Sequence, residues 1–251
     1  MLFRSGAGAD GQVVTALSPN GDAVAIKRFP LDTKVRKNIF QNEAFFSRIL
    51  SKGGITVPTH DIFATPTDGY LVMQLGAKDL LDVVEGSEDG CLPVRQSLKI
   101  FAEVCQLVAR LHQRRIAHLD IKPENILIDD EGVLRLCDFS RAHQWSTDKR
   151  YDGLLNSIST KEYSSPERFV DDFFDVTAAD VFSLGVLLHV MLTGYFPFSP
   201  LRKDDCSFPR PVSLTHAEIL LDKKGVALLR WMLEADPSAR PTVPRSSKTV
   251  G

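Results

Sequence analysis

The chain has 251 residues, 43% of them hydrophobic and 25% charged, and its 30 basic and 32 acidic side chains leave a formal charge of −2. That composition excludes an intrinsically disordered chain and offers no net positive field for nucleic acid or a polybasic membrane contact. At about 150 residues per domain the length allows one or two domains and a core that needs no metal or disulfide staple.

The first third reads as strands with one helix. Val13–Leu17 and Ala23–Phe29 flank the turn residues Ser18-Pro19-Asn20-Gly21-Asp22 and predict a hairpin. Thr33 to about Ser51 lacks Gly and Pro and carries apolar residues at helical spacing, with Asp32 as the expected N-cap and Gly53-Gly54 as the stop. His60–Ala64 and Tyr70–Leu75 predict a second hairpin around Thr65-Pro66-Thr67-Asp68-Gly69.

The composition shifts near Gly76, the expected hinge into a larger helical part. Pro93 stands where a first-turn proline belongs, before an amphipathic helix to about His112. Ile126–Ile128 and Val133–Cys137 predict two short strands around Asp129-Asp130-Glu131-Gly132, and Ser140 to Ser165 is a polar segment without a clear period. Val181 to Leu201 is apolar enough to raise a membrane question, but Gly194, Pro197 and Pro200 cut it after about four turns. The expectation is a helix over Val181–Leu192, bordered by Asp180 and buried in a core, and no membrane insertion; a further helix is expected over Ala227–Glu234. Cys91, Cys105, Cys137 and Cys206 form no C-x-x-C pair and the histidines do not cluster, so no structural zinc site is expected. Sparse cysteines, and an N-terminus without a signal-peptide apolar run, fit a cytoplasmic or nuclear location.

Several strings carry chemistry. Gly6-Ala7-Gly8-Ala9-Asp10-Gly11-Gln12-Val13 is a G-x-G-x-x-G-x-V run; alone, a glycine-rich turn would satisfy it. A strand and hairpin follow instead of a helix, which suits a flap over a polyphosphate rather than a dinucleotide fold. Lys27, in Val24-Ala25-Ile26-Lys27, and Glu43 on the next helix are each ordinary surface residues taken singly; together they suggest an ion pair holding the lysine against phosphates. His118-Leu119-Asp120-Ile121-Lys122-Pro123-Glu124-Asn125 gathers a carboxylate to orient a hydroxyl, a cation for a transferring phosphoryl group and an amide oxygen for a metal. Asp138-Phe139-Ser140 follows thirteen residues after Asn125 and supplies a second carboxylate for Mg²⁺.

In this order the strings resemble the eukaryotic protein kinases, serine/threonine type, from the glycine run to Arg240. The resemblance implies one α+β kinase domain over 1–251 with a bilobal fold. A small antiparallel-sheet lobe with one helix (1–75) would be followed by a larger, mainly helical lobe (76–251) whose C-terminal end is abbreviated. It implies ATP and Mg²⁺ as cofactors and protein substrates with Ser or Thr acceptors, with no nucleic acid; oligomeric state is left open. Gly6, Gly8 and Gly11 would cover the phosphates, Lys27 paired with Glu43 would bind them, and Val13, Ala25 and Leu127 would enclose the adenine. Met73 would be the gatekeeper, Gln74-Leu75-Gly76 the hinge, and Asp79 the ribose contact. Asp120 would serve the acceptor hydroxyl, Lys122 the γ-phosphate, and Asn125 and Asp138 the metal. Thr160 would lie on the substrate segment near Asp120 and Lys122. Asp180 would anchor the catalytic loop, and Glu167 of Ser165-Pro166-Glu167 would pair with Arg240.

The chain departs from the family pattern at Leu119, Ser140 and Ser47, and more mildly at Phe182, which stands for a usual tryptophan. Leu119 replaces the arginine of H-R-D, which removes the usual cationic partner of a phosphorylated activation loop and predicts activity independent of phosphorylation at Ser146, Thr147, Ser157 or Ser159. Ser140 replaces the glycine of D-F-G, and Ser47 stands where a large apolar residue is usual. These departures support an alternative, a pseudokinase scaffold that binds nucleotide or partners without turnover. The retained Lys27, Glu43, Asp120, Asn125 and Asp138 favour the active enzyme. A small-molecule phosphotransferase of kinase-like fold would share the H-x-D-x-x-x-x-N pattern but would lack Thr160, the Ser165-Pro166-Glu167 run and the Arg240 partner.

Overall fold

The computed structural model describes residues 5–8, 11–76, 78–148, 150–152, 161–171, 173–198 and 214–243. In chain order the strands are β1 (Ser5–Gly8), β2 (Gly11–Leu17), β3 (Ala23–Pro30), β4 (Thr59–Ala64), β5 (Asp68–Gln74), β6 (Lys78–Asp79), β7 (Ile116–Ala117), β8 (Ile126–Ile128), β9 (Leu134–Leu136), β10 (His143–Gln144), β11 (Arg150–Asp152) and β12 (Phe173–Asp175). The helices are α1 (Lys34–Leu50), α2 (Leu80–Glu85), α3 (Val94–Gln113), α4 (Glu167–Val170), α5 (Val176–Thr193), α6 (Thr215–Leu220) and α7 (Lys223–Met232). The chain divides into two compact units, Met1–Asp79 with Asn125–Ala142, and Leu80–Glu124 with His143–Gly251. The first holds an antiparallel sheet and one long helix, and the second is mainly helical; residues 125–142, expected in the helical part, group with the first because β8 and β9 form a sheet with β6.

The first unit is built on an antiparallel sheet of order β1-β2-β3-β5-β4. Alternation along β3 sends Ala25, Lys27 and Phe29 to one buried face. Ala25 and Phe29 join Val57, Leu71 and Met73 in an apolar core against which Val13, Phe40 and Leu127 pack. A second antiparallel set, β6-β8-β9, completes the unit. The cap of α1 is Thr33 rather than Asp32. Thr33 has the extended backbone of a cap (φ −126°) and its Oγ1 accepts from Arg36 N, while Asp32 accepts from the Arg36 guanidinium at 2.7 Å. The helix turns Glu43, Phe46, Ser47 and Leu50 inward, so two polar residues occupy core-facing positions.

In the second unit, α5 is apolar all round and buried from Val176 to Leu192. Length and composition alone would let it cross a bilayer, but it is the central helix of this unit and packs against α3, α6 and α7. It begins five residues before the expected Val181, because Asp175 caps it by accepting from Thr177 N and Ala178 N. Asp180 therefore lies inside the helix, not at its border; a fully buried carboxylate is tolerated there because its oxygens are hydrogen-bonded. Gly194 ends the helix in the left-handed conformation (φ +74°). Pro93 is the N-cap of α3 rather than its first-turn residue, and the final helix runs over Lys223–Met232, not Ala227–Glu234, because Asp222 caps it through Gly225 N. Within the polar 140–165 stretch, β10 pairs with β7 and β11 pairs with β12.

Candidate active site

Most of the residues expected to meet a nucleotide gather in the first unit. β1 and β2 form the glycine flap with Gly6 opposite Val13 and Gly8 opposite Gly11. Gly11 has no room for a side chain, since a Cβ there would lie 2.3 Å from the Arg28 carbonyl oxygen. Val13, Ala25, Met73 and Leu127 belong to one apolar cluster, and Ala25 sits opposite Met73 across the β3–β5 ladder. Gln74 ends β5 and its N–H donates to the Pro58 carbonyl at 2.9 Å. Leu75 is exposed, and Gly76 lies against Leu127, which a Cβ would meet at 3.4 Å. Asp79 is paired with Leu127 in the β6–β8 ladder.

The charged centre of this unit departs from the expected pairing. Lys27 Nζ lies 2.9 Å from Asp138 Oδ2, and among the described residues its ion pair is with Asp138, not Glu43. Glu43 is buried, and its Oε1 accepts from Ser47 Oγ at 3.2 Å while Oε2 has no hydrogen-bond partner. The small hydroxyl at 47, in place of a bulky apolar side chain, gives Glu43 a local partner one turn on. Burial works against charge on Lys27, but Asp138 and Glu43 outweigh it and hold its pKa above the usual range, so the ammonium is charged at neutral pH. Burial, with a contribution from Asp138, pushes the Glu43 carboxyl up to about 7 against the pull of Lys27, Ser47 and the Phe139 backbone.

Asp138 adopts a left-handed backbone (φ +61°), uncommon for a residue with a Cβ. Asn42, which sequence reasoning passed over, helps hold that stretch: its side-chain amide donates to the carbonyls of Ser140 at 2.9 Å and Ala142 at 2.8 Å. Nothing in a polar residue on a helix announces this, because the partners lie almost a hundred residues away. Ser140 is accommodated in a buried position, and Phe139 is fully enclosed. Asn125 is buried in the same unit, where its carbonyl accepts from Cys137 N at 3.0 Å. The Asp138 carboxylate and Asn125 amide oxygen are hard donors of the kind Mg²⁺ takes, and Lys27 beside Asp138 is a cation suited to phosphate oxygens.

Asp120 and Lys122, expected to serve the transfer, lie in the second unit. Lys122 Nζ is 3.2 Å from Asp120 Oδ2. The backbone before Asp120 is held by the buried Asp180, whose Oδ2 accepts from His118 N at 2.9 Å and Oδ1 from Leu119 N at 2.8 Å; His112 Nε2 contacts Oδ2 at 2.9 Å. Burial alone would raise the Asp180 pKa, but the two histidines and the backbone donor hold it below the usual range. Leu119 is itself buried in an apolar cluster with Ala117, Trp145, Phe174, Val176 and Ala179. Arg240 makes two bonds to Glu167, at 2.6 and 2.8 Å, and adds the Ala178 carbonyl at 3.0 Å. Thr160, Ser157 and Ser159 lie outside the described residues, as do the residues after 243.

Comparison with known proteins adds an independent line. The family described as "Protein kinase domain" matches residues 4–249. The chain is 28% identical over 235 residues to the SNF-related serine/threonine-protein kinase of Homo sapiens, covering 89% of this chain and 29% of that protein. It is 32% identical over 190 residues to CBL-interacting serine/threonine-protein kinase 26 of Arabidopsis thaliana, covering 75% and 43%. It is likewise 32% identical over 190 residues to serine/threonine-protein kinase par-4 of Caenorhabditis elegans, covering 72% and 30%. The chain thus spans less than half the length of these relatives.

Proposed function

Because this chain belongs to the protein kinase family, we propose that it transfers the ATP γ-phosphoryl group to serine and threonine hydroxyls of protein substrates. The observation that carries this reading is the Asp120–Lys122 pair at 3.2 Å, on a loop whose backbone is fixed by the buried Asp180. A carboxylate there accepts the hydroxyl proton, and the lysine offsets charge on the transferring group. In the first unit Lys27, kept charged by Asp138 and Glu43, binds phosphate oxygens, and Asp138 with Asn125 would hold Mg²⁺. Bound MgATP supplies the phosphoryl group and a cation that neutralises its oxygens. Catalysis is then positioning and charge stabilisation, with no covalent intermediate on the protein.

The Lys122-Pro123-Glu124-Asn125 string and the named relatives support Ser/Thr over Tyr acceptors. Leu119, seated in an apolar cluster, presents no cation to a loop phosphate, which supports activity without activation-loop phosphorylation. The free thiols of Cys91, Cys105 and Cys137 fit action in the cytoplasm or nucleus.

The test is transfer of labelled γ-phosphate from MgATP to a degenerate Ser/Thr peptide library, with the Asp120→Asn protein in parallel. Transfer by the natural sequence that is lost in the variant is the expected result. Background signal from both proteins, each shown to be folded, overturns the reading and leaves the scaffold alternative.

A further inference from the structure

Leu119 is one of the described non-glycine residues with positive φ (+61°). A leucine seldom adopts that conformation unless surrounding contacts hold it. The N–H side is held by Asp180, which accepts from His118 N and Leu119 N. The carbonyl side is held from another element. Arg168 Nη1 donates to the Leu119 carbonyl at 2.8 Å, and a bond from a charged donor is stronger than a neutral one. That carbonyl belongs to the peptide joining Leu119 to Asp120, and the N–H of the same peptide donates to His118 Nδ1 at 3.3 Å. Both polar edges of the peptide plane that precedes the Asp120 side chain are therefore fixed.

Arg168 is in turn well supported. It follows Glu167 on α4, and the Arg240 guanidinium grips Glu167 through two bonds. Its own guanidinium lies 5.8 Å from the Phe174 ring centroid, and Phe174 packs in the same cluster as the Leu119 side chain. The segment around Ser165-Pro166-Glu167 and the loop bearing Asp120 thus meet at one guanidinium.

The geometry points to Arg168 as a positioning residue for Asp120. From α4 it holds the strained Leu119–Asp120 peptide in the orientation that presents the carboxylate. Without this bond the peptide can rotate back towards ordinary backbone regions and carry the Asp120 side chain with it. The inference rests on the phosphotransfer reading above, and it adds a residue to which neither the motif pattern nor the comparisons assign a role.

The experiment compares wild type with Arg168→Ala and Arg168→Lys by kcat, by KM for ATP and peptide, and by amide hydrogen exchange at residues 118–120. Arg168→Ala is expected to lower kcat ~10- to 100-fold, to leave KM for ATP within about twofold, and to speed exchange at 118–120 about tenfold. Arg168→Lys, which retains a charged donor, is expected to recover part of both losses. A kcat for Arg168→Ala within about threefold of wild type, or unchanged exchange at 118–120, overturns the inference. If Arg168→Ala does not fold, the same readings are taken on Arg168→Met, which keeps the aliphatic stem. A folded wild type that phosphorylates no peptide counts against the kinase reading, and the exchange data then decide the role of Arg168 by themselves.

Discussion

Lys27 is bound to Asp138 at 2.9 Å, while Glu43, buried in the same unit, takes its hydrogen bond from Ser47. The two carboxylates in this apolar setting are thus treated differently. Asp138 is neutralised by a direct ion pair, and Glu43 keeps one oxygen without a partner. Removing the Ser47 hydroxyl leaves both Glu43 oxygens without side-chain donors. Ser47→Ala is expected to cost ~1–3 kcal/mol of stability, read by urea unfolding; a variant as stable as wild type would show that the hydroxyl contributes nothing.

The elevated Glu43 pKa has a consequence for stability against pH. The unfolded carboxyl releases its proton near 4.5 and the folded one near 7, so the folded state binds more protons between those values. Stability contributed by this group therefore falls as pH rises through that window and levels off above it. Glu43→Gln has no such group, so its stability relative to wild type is expected to climb between about pH 4.5 and pH 7 and to be flat on either side. Denaturant unfolding of both proteins across the range checks this; a constant difference contradicts it.

Gly11 leaves no space for even a methyl group against the Arg28 carbonyl. Gly11→Ala forces β2 away from β3 at the base of the glycine flap. The expected result is a cost of ~1–3 kcal/mol together with weaker binding of an ATP analogue, measured by calorimetry, and little change in kcat at saturating nucleotide.

Leu119 and Trp145 are buried together, so an arginine restored at 119 would be placed among apolar side chains. Leu119→Arg is expected to lower stability by ~3–5 kcal/mol, and Trp145→Ala by a similar ~3–5 kcal/mol through the cavity it leaves. Thermal unfolding measures both. By contrast, replacing Ser146, Thr147, Ser157 and Ser159 together by alanine should leave kcat within about twofold; a loss comparable to that of Asp120→Asn would show that loop phosphorylation is required.

The Glu167–Arg240 pair is among the most deeply enclosed charge pairs in the second unit, with side-chain exposures of 2% and 0%. Arg240 also bonds the Glu234, Ala178 and Ala235 carbonyls and lies over the Phe182 ring. Arg240→Ala strands a buried carboxylate and several carbonyls, and is expected to cost ~3–5 kcal/mol. Glu167→Gln, which keeps the shape, should cost less; equal losses would argue that packing rather than charge is at stake.

The strand-rich first part, the two hairpins, the apolar helix and the motif strings are legible in the sequence, because each is written in local periodicity, turn residues or fixed spacing. Lys27, Asp120, Asn125 and Asp138 could be named as candidates for the same reason, as residue types that phosphoryl transfer needs, in order along one chain. Element boundaries were less legible where a cap outcompeted its neighbour, as Thr33 did Asp32, or where a buried charge such as Asp180 was satisfied by distant donors. The Glu167–Arg240 pair was expected from the motif pattern, but other charges found their partners only in the folded chain. Lys27 turns to Asp138 rather than Glu43, Asn42 reaches carbonyls almost a hundred residues on, and Arg168 finds the Leu119 carbonyl. These pairings depend on side-chain direction, burial and backbone conformation at contacts far apart in the chain, and no local pattern encodes them.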